Sequence, residues 1–234
     1  TLVYKARLMS SDEMKRLAAL AALKHLPETG VLGLGTGSTT RWFIEAVGEL
    51  TRGGRKFSCV PTSRASRVLA EQCGIPLLDD AGPWQIDVCV DGADEVSRGL
   101  DLIKGGGGAH TREKIVNQAA KKNVIIVDDS KLVERLGETR KVPLEVLPFG
   151  FKTTLAELGK LGRPELRQSD GAPFMSDSGN YIVDLATGPI DNAAALDQTL
   201  RGLPGIVETG LFVGRADVVV VARLSGVSEL TRGS

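Results

Sequence analysis

Val31-Leu-Gly-Leu-Gly35-Thr-Gly-Ser-Thr-Thr40 takes the chain from an apolar run into glycines and hydroxyls. From Ser38 to Leu50 the apolar residues Trp42, Phe43, Ala46, Val47 and Leu50 then recur at helical spacing. The stretch reads as strand, tight turn and helix, and the same alternation continues on either side. Ser11-Asp12 followed by Met14, Leu17, Ala18 and Ala21 predicts a capped amphipathic helix that stops near Pro27 and Gly30. Further strands are predicted over 57–60, 75–78, 86–90 and 124–127, and further helices over 63–72 and 111–122. Short apolar strands alternating with amphipathic helices imply parallel βαβ units and an α/β fold.

The rhythm changes after about residue 140. Strands are predicted over 142–147, 166–168, 181–185 and 206–211, and helices over 153–161 and 192–201. The order β-α-β-β-α-β is the ferredoxin-like split unit. The run 216–222 contains four successive valines, Val218 to Val221, and suits a fully buried parallel strand, so the chain is expected to return to its first sheet. The expected organisation is a Rossmann-like, mostly parallel sheet with helices on both faces, formed by 1–139 and 216–234. A ferredoxin-like α+β domain is inserted at 140–215.

Composition narrows the function. A formal net charge of +0 lacks the basic excess that nucleic acid or a membrane surface rewards, so neither is expected as a partner. Cys59, Cys73 and Cys89 are odd in number and form no Cys-x-x-Cys, which reads as reduced thiols, two of them buried in strands. A nucleophilic cysteine would need a nearby histidine. No stretch is long enough to span a bilayer, and residues 1–7 lack the apolar core of a signal peptide. A cytoplasmic location is expected.

Residues 104–114 read Lys-Gly-Gly-Gly-Gly-Ala-His-Thr-Arg-Glu-Lys. Glycines bring no side chain to a core and lose the most backbone entropy, so four together are expected where backbone nears something that is not protein. Asp91-Gly-Ala-Asp94-Glu95 ends the apolar run before them. Glu113 falls in the first turn of the next helix, with Thr111 as its expected cap. These motifs, the 35–39 turn and Asp128-Asp-Ser-Lys131 all border strand ends, where α/β sheets bind ligands.

Each motif also has a plainer reading. The 33–40 loop can bind phosphate at a helix N-terminus, with hydroxyls from Ser38, Thr39 and Thr40, or be a tight turn with a Ser/Thr cap. Ser38 stands where a dinucleotide fingerprint needs glycine, and no Gly-Lys-Ser/Thr is present. Asp91 and Asp94 can accept sugar hydroxyls, form an Asx turn or hold a divalent metal. Of the two histidines, His25 reads as surface and His110 borders the glycine run. Glu113 can be a base or a dipole-stabilising acid; the dipole and Lys104 would lower its pKa, and desolvation would raise it. Lys104 and Lys131 can hold developing or phosphate charge, or be solvated.

Taken in order, Gly35-Thr-Gly-Ser-Thr39, Asp91-Gly-Ala-Asp94-Glu95, Lys104-Gly-Gly-Gly-Gly108 with Thr111-Arg-Glu113-Lys114, and Asp128-Asp-Ser-Lys131 closely resemble the type A ribose-5-phosphate isomerase family. The resemblance spans nearly the whole chain. It implies an aldose–ketose isomerase that interconverts D-ribose 5-phosphate and D-ribulose 5-phosphate in the pentose phosphate pathway, without metal or cofactor. Residue by residue, it makes Glu113 the proton acceptor between C2 and C1 and sets Lys104 on the enediolate oxygen. Asp91 and Asp94 would hold hydroxyls and assist ring opening. Thr36, Gly37, Ser38, Thr39, Gly92, Ala93, Gly105, Gly106, Gly107 and Lys131 would complete the substrate site, with Ser38, Thr39 and Lys131 nearest the phosphate. Lys15 aligns with a further phosphate contact. A homodimer or homotetramer is implied. A sugar-phosphate-sensing domain would need no base. A coenzyme A transferase would use Glu113 as nucleophile, and a metal-dependent phosphatase would use Asp91 and Asp94. Lys104, Glu113 and the phosphate loop together favour the isomerase.

Overall fold

The strand–turn–helix units assemble on one sheet. The computed structural model describes residues 10–232, so the reading of residues 1–7 lies outside the described residues. In chain order come α1 (Ser11–Ala22), β1 (Thr29–Leu34), α2 (Ser38–Arg52), β2 (Lys56–Pro61), α3 (Arg64–Gln72) and β3 (Val88–Asp91). Two short strands follow, β4 (Glu95–Val96) and β5 (Leu102–Ile103), then α4 (His110–Ala119) and β6 (Asn123–Asp128). Next are β7 (Val142–Val146), α5 (Phe151–Leu158), β8 (Arg163–Leu166), β9 (Gln168–Ser169), β10 (Ala172–Pro173), β11 (Tyr181–Ala186), α6 (Ala193–Arg201) and β12 (Ile206–Thr209). The chain ends in β13 (Leu211–Phe212), β14 (Val218–Arg223) and β15 (Gly226–Thr231).

The central sheet has the order β15-β14-β6-β3-β1-β2. Every neighbouring pair is parallel except the β14–β15 hairpin. The valine run explains why β14 lies inside it. Val218 and Val220 face the core built with α1, α2 and α3, whereas Val219 and Val221 face the opposite side. A strand buried on both faces needs continuous apolar sequence rather than alternation. Helices alone do not cover that opposite side. Val116 of α4 packs there against Cys89 and Val60, and a three-stranded sheet, β13-β5-β4, covers the rest through Leu102 and Phe212.

The second sheet runs β12-β7-β11-β8 and is antiparallel throughout. Numbered within 140–215, this is the order 4-1-3-2 of the ferredoxin-like arrangement. With α5 and α6 it encloses a core of Leu144, Leu158, Val183 and Leu200.

Several local expectations shift. Residues 75–78 make one parallel bridge, Leu77 to Cys59, in place of a strand, because Pro76 has no amide to extend the ladder. The cap of α1 is Ser10 rather than Ser11. Its hydroxyl accepts from the Glu13 amide at 3.2 Å, and Glu13 Oε2 accepts from the Ser10 amide at 2.6 Å. Helix α4 starts at His110 with Ala109 at the cap position, and the Thr111 hydroxyl donates to Glu145 instead. His25 is only 10% exposed and sits between Glu229 at 2.7 Å and Lys122 at 3.0 Å. Strand β15 is missed in the sequence because only its hairpin side is paired and most of its residues face water.

Glu95, the last acid of the 91–95 motif, turns away from the sheet end. It is fully buried and accepts from the amides of Gly137 (2.6 Å), Thr139 (2.6 Å) and Arg140 (2.7 Å) and from the Thr139 hydroxyl (2.7 Å). It thereby pins the segment that leads into β7. Removing the carboxylate unties four partly buried donors, so Glu95→Ala is expected to lower unfolding free energy by about 2 kcal/mol or more. Denaturant unfolding measures this, and a change below about 1 kcal/mol would show that the clamp is not needed.

Candidate active site

The strand order reverses between β1 and β3. Strand β2 lies outward of β1, while β6 and β14 extend from β3 the other way. Loops leaving β1 and β3 therefore diverge, and a crevice opens at their carboxyl ends. A cleft of about 270 Å³ sits there. It is walled by residues 36–40, 92–94 and 104–107, by Glu113 of α4, by Asp128, Ser130 and Lys131 after β6, and by Ser11 and Lys15 of α1.

One wall is the start of α2. Its N-cap is Gly37, at φ 126°, and no side chain caps the helix. The leading amides of α2 keep their donors free and carry the positive end of its dipole. Ser38 and Thr39 add hydroxyls, and Lys131 and Lys15 add cationic side chains, with Lys15 pairing with Asp12 at 3.3 Å. This arrangement suits a phosphate. Thr36 borders the cleft, but its hydroxyl turns into a buried cluster, 2.8 Å from Thr62 and Ser63 and 3.1 Å from Ser66.

Asp91, Lys104 and Glu113 form the buried centre. The Lys104 side chain is 4% exposed. Its Nζ donates to the Gly92 carbonyl at 2.5 Å and pairs with Asp91 Oδ2 at 2.9 Å and Glu113 Oε2 at 3.4 Å. Asp91 Oδ1 accepts from the amides of Thr36 (3.0 Å) and Gly92 (2.7 Å). Alone among the expected substrate contacts, Asp91 does not line the cleft. It lies under the floor and fixes Lys104 and the two loops above it. Gly35 allows this, since any Cβ there would overlap the Asp91 carboxylate. Asp94 is half-buried and lines the cleft, with Oδ2 accepting from the Gly106 amide at 2.8 Å.

The charges settle the balance left open by the sequence. Burial opposes the Lys104 ammonium, but the Asp91 and Glu113 carboxylates outweigh it and hold its pKa above the usual lysine range. Burial, then the Asp91 charge, pushes Glu113 up to about 8, with Lys104 pulling the other way. Desolvation thus wins over the attraction of Lys104. Glu113 Oε2 is buried without a hydrogen bond. A carboxylate so placed accepts a proton more strongly than a solvated one.

The glycine run has a different cause from the one expected. A Cβ on Gly105 would lie 2.7 Å from His110 Nδ1, one on Gly106 would lie 2.7 Å from Asp94 Oδ1, and one on Gly108 would overlap the Phe174 ring. Protein itself crowds three of the four. Only Gly107 has room on that side.

Other candidates fall away from the chemistry. His110 is fully buried behind the run, and burial drops its pKa to about 3, so it is neutral. Burial pushes Cys59 up to about 12 and raises Cys89 as well, which leaves both as thiols. Among the described residues, no group of three or more His, Cys, Asp and Glu side chains is placed to hold a metal ion. No helix among them is long and apolar enough to cross a membrane. Lys114 points away from Glu113, to Glu208 Oε1 (2.9 Å) and the carbonyls of Thr209 (2.7 Å) and Leu211 (2.8 Å). Both lysines contact the Phe212 ring, the Lys114 amine at 4.7 Å from its centroid and the Lys104 amine at 5.5 Å. Sequence reading also passes over Arg167 and Asp184, which reach the back of the glycine run. No motif marks them, because they lie in a stretch legible only by its strand pattern.

The family model described as Ribose 5-phosphate isomerase A (phosphoriboisomerase A) matches residues 58–226. Ribose-5-phosphate isomerase A of Rhodopseudomonas palustris (strain BisB18) is 47% identical, over 96% of this chain and 100% of the relative. That of Trichodesmium erythraeum (strain IMS101) is 42% identical, over 94% of each. A solved D-ribose-5-phosphate isomerase in complex with phospho-erythronic acid superposes with a TM-score of 0.92 at 40% identity, covering 96% of this chain and 100% of its own. The ribose 5-phosphate isomerase A from Methanocaldococcus jannaschii gives 0.90 at 38% identity, covering 95% and 100%. The chain belongs to the ribose 5-phosphate isomerase A family.

Proposed function

We propose that the protein interconverts D-ribose 5-phosphate and D-ribulose 5-phosphate through an enediolate, with Glu113 as the base and Lys104 as the electrophilic partner. The observation that carries this reading is the buried Glu113–Lys104 pair, 3.4 Å apart, in the cleft that also holds the anion-binding start of α2. In the aldose-to-ketose direction Glu113 takes the proton from C2. The C2–H electron pair forms the C1=C2 bond, and negative charge moves onto O1 beside an ammonium. The proton on O2 passes to O1, the C2 carbonyl forms, and Glu113 returns its proton to C1. No net oxidation occurs and no co-reactant is required.

Ser38, Thr39, Lys131 and the first amides of α2 hold the phosphate in this proposal, with Lys15 beside them. Asp94 holds sugar hydroxyls and assists ring opening. Asp91 acts from below by fixing Lys104. Thr36, Gly37, Gly92, Ala93 and Gly105–Gly107 shape the walls. Binding the distant phosphate positions the reacting carbons. The unit at 140–215 is proposed as a separate inserted domain, and the active protein as a homodimer or homotetramer. Three free cysteines among the described residues agree with a reducing, cytoplasmic setting.

The test is incubation with ribose 5-phosphate in heavy water. Ribulose 5-phosphate carrying deuterium at C1 is expected. No ketose would overturn the activity, and C1 still free of deuterium at equilibrium, after many turnovers, would overturn a proton shuttle open to solvent. The acidity of Glu113 adds a pH prediction. Only its carboxylate form accepts a proton, and its pKa lies near 8 rather than the ordinary 4.5. The acid limb of kcat/KM is therefore expected well above pH 4.5, with activity lost as pH falls through about 8. A limb at the ordinary carboxylate position would contradict the buried base.

A further inference from the structure

We infer that Arg167 is a positioning residue for the isomerisation: held by Asp184, it aims and polarises the Gly105–Gly107 peptides toward the oxygen that gains charge. The inference rests on the isomerase reading above. Arg167 Nη1 donates to the carbonyls of Gly105 at 2.9 Å and Gly106 at 3.0 Å. Its Nε and Nη2 are held by the two oxygens of Asp184, at 2.8 Å and 2.5 Å. The pair is largely buried, and the Phe174 ring lies 5.7 Å from the guanidinium.

In a trans peptide the carbonyl and the following N–H point to opposite sides. A cation behind the carbonyls therefore fixes which way the amides face and strengthens them as donors. Behind the 105–106 peptide that amide belongs to Gly106, which donates to Asp94 at 2.8 Å. Behind the 106–107 peptide it belongs to Gly107, which lines the cleft and has no hydrogen-bond acceptor among the described residues. A preorganised amide of this kind stabilises an oxyanion more than the ground-state carbonyl. Lysine cannot replace the fork, since it cannot grip Asp184 with two nitrogens while reaching two carbonyls.

The test compares wild type with Arg167→Lys and Asp184→Asn. Ribose 5-phosphate turnover is read together with the affinity for phospho-erythronic acid and for inorganic phosphate. Phospho-erythronic acid carries a carboxylate at the end opposite its phosphate, so it reports on the amides as well as the anion loop. In Arg167→Lys, kcat is expected to fall about 10- to 100-fold with KM changed less than about threefold. Phospho-erythronic acid should bind at least about tenfold more weakly, and phosphate within about twofold of wild type. Asp184→Asn should show the same pattern at smaller size, and it carries the test if the first variant does not fold. Wild-type kcat in both variants, or equal weakening of both ligands, overturns the role of Arg167. A wild-type protein that does not isomerise ribose 5-phosphate would sink the underlying activity instead, so the two failures are distinct.

Discussion

Glu113→Gln is expected to lower kcat by about 1,000-fold or more while leaving the affinity for phospho-erythronic acid within a few-fold of wild type. The amide keeps the shape of the side chain but cannot accept the C2 proton, and the anion loop is untouched. The same variant should gain stability in alkali. A carboxyl that ionises near 8 in the folded chain and at the ordinary 4.5 when unfolded holds more protons in the fold between those values. Stability therefore falls as pH rises across that window and stays lowered above it. Glutamine does not titrate, so Glu113→Gln should exceed wild type at pH 9, by on the order of 2 kcal/mol. Near-normal turnover would remove Glu113 as the base. Equal stability at pH 5 and pH 9 in both proteins would show that its ionisation is not opposed by the fold.

Lys104→Met should reduce kcat by about 100- to 1,000-fold with a much smaller change in KM, because the charge it meets forms only on the way to the enediolate. It should also destabilise the protein by about 3–5 kcal/mol, since Asp91 and Glu113 would be left buried without their cation. The acid limb of the pH profile should move further up, because Lys104 is what restrains the Glu113 pKa. Kinetics across pH, with unfolding measured in parallel, checks all three effects. A defect confined to KM would reassign Lys104 to ground-state binding.

The framework was legible where local pattern and tertiary role agree. Val218 to Val221 announce a two-sided strand because a continuous β-branched apolar run suits burial on both faces of a sheet. The 33–40 stretch announces a strand–helix turn because its apolar period changes at Ser38. What stayed hidden depends on distant partners. Thr111 looks like a cap, yet it serves Glu145, a residue of β7. Asp91 looks like a sugar ligand, yet its oxygens are taken by Lys104, Thr36 and Gly92. The glycines look cleared for a ligand, but His110, Asp94 and Phe174 fill most of that space. The competition between burial and Lys104 over Glu113 was not decidable from spacing, because desolvation is a property of everything packed around the group. Arg167 carries no local signal, since its partners are the bare backbone carbonyls of Gly105 and Gly106, and Asp184 is marked only by the arginine it holds.

Lys114 next to the proposed base has a bearing on protein engineering. Among the described residues its ammonium is hydrogen-bonded only by oxygens of Glu208, Thr209 and Leu211, which all lie near the far end of the 140–215 stretch. A shortened enzyme made by excising that stretch would lose these oxygens and open the rear of the very helix that presents Glu113 to water. Any minimal scaffold must therefore cover that face of α4 in some other way before it can dispense with the insertion.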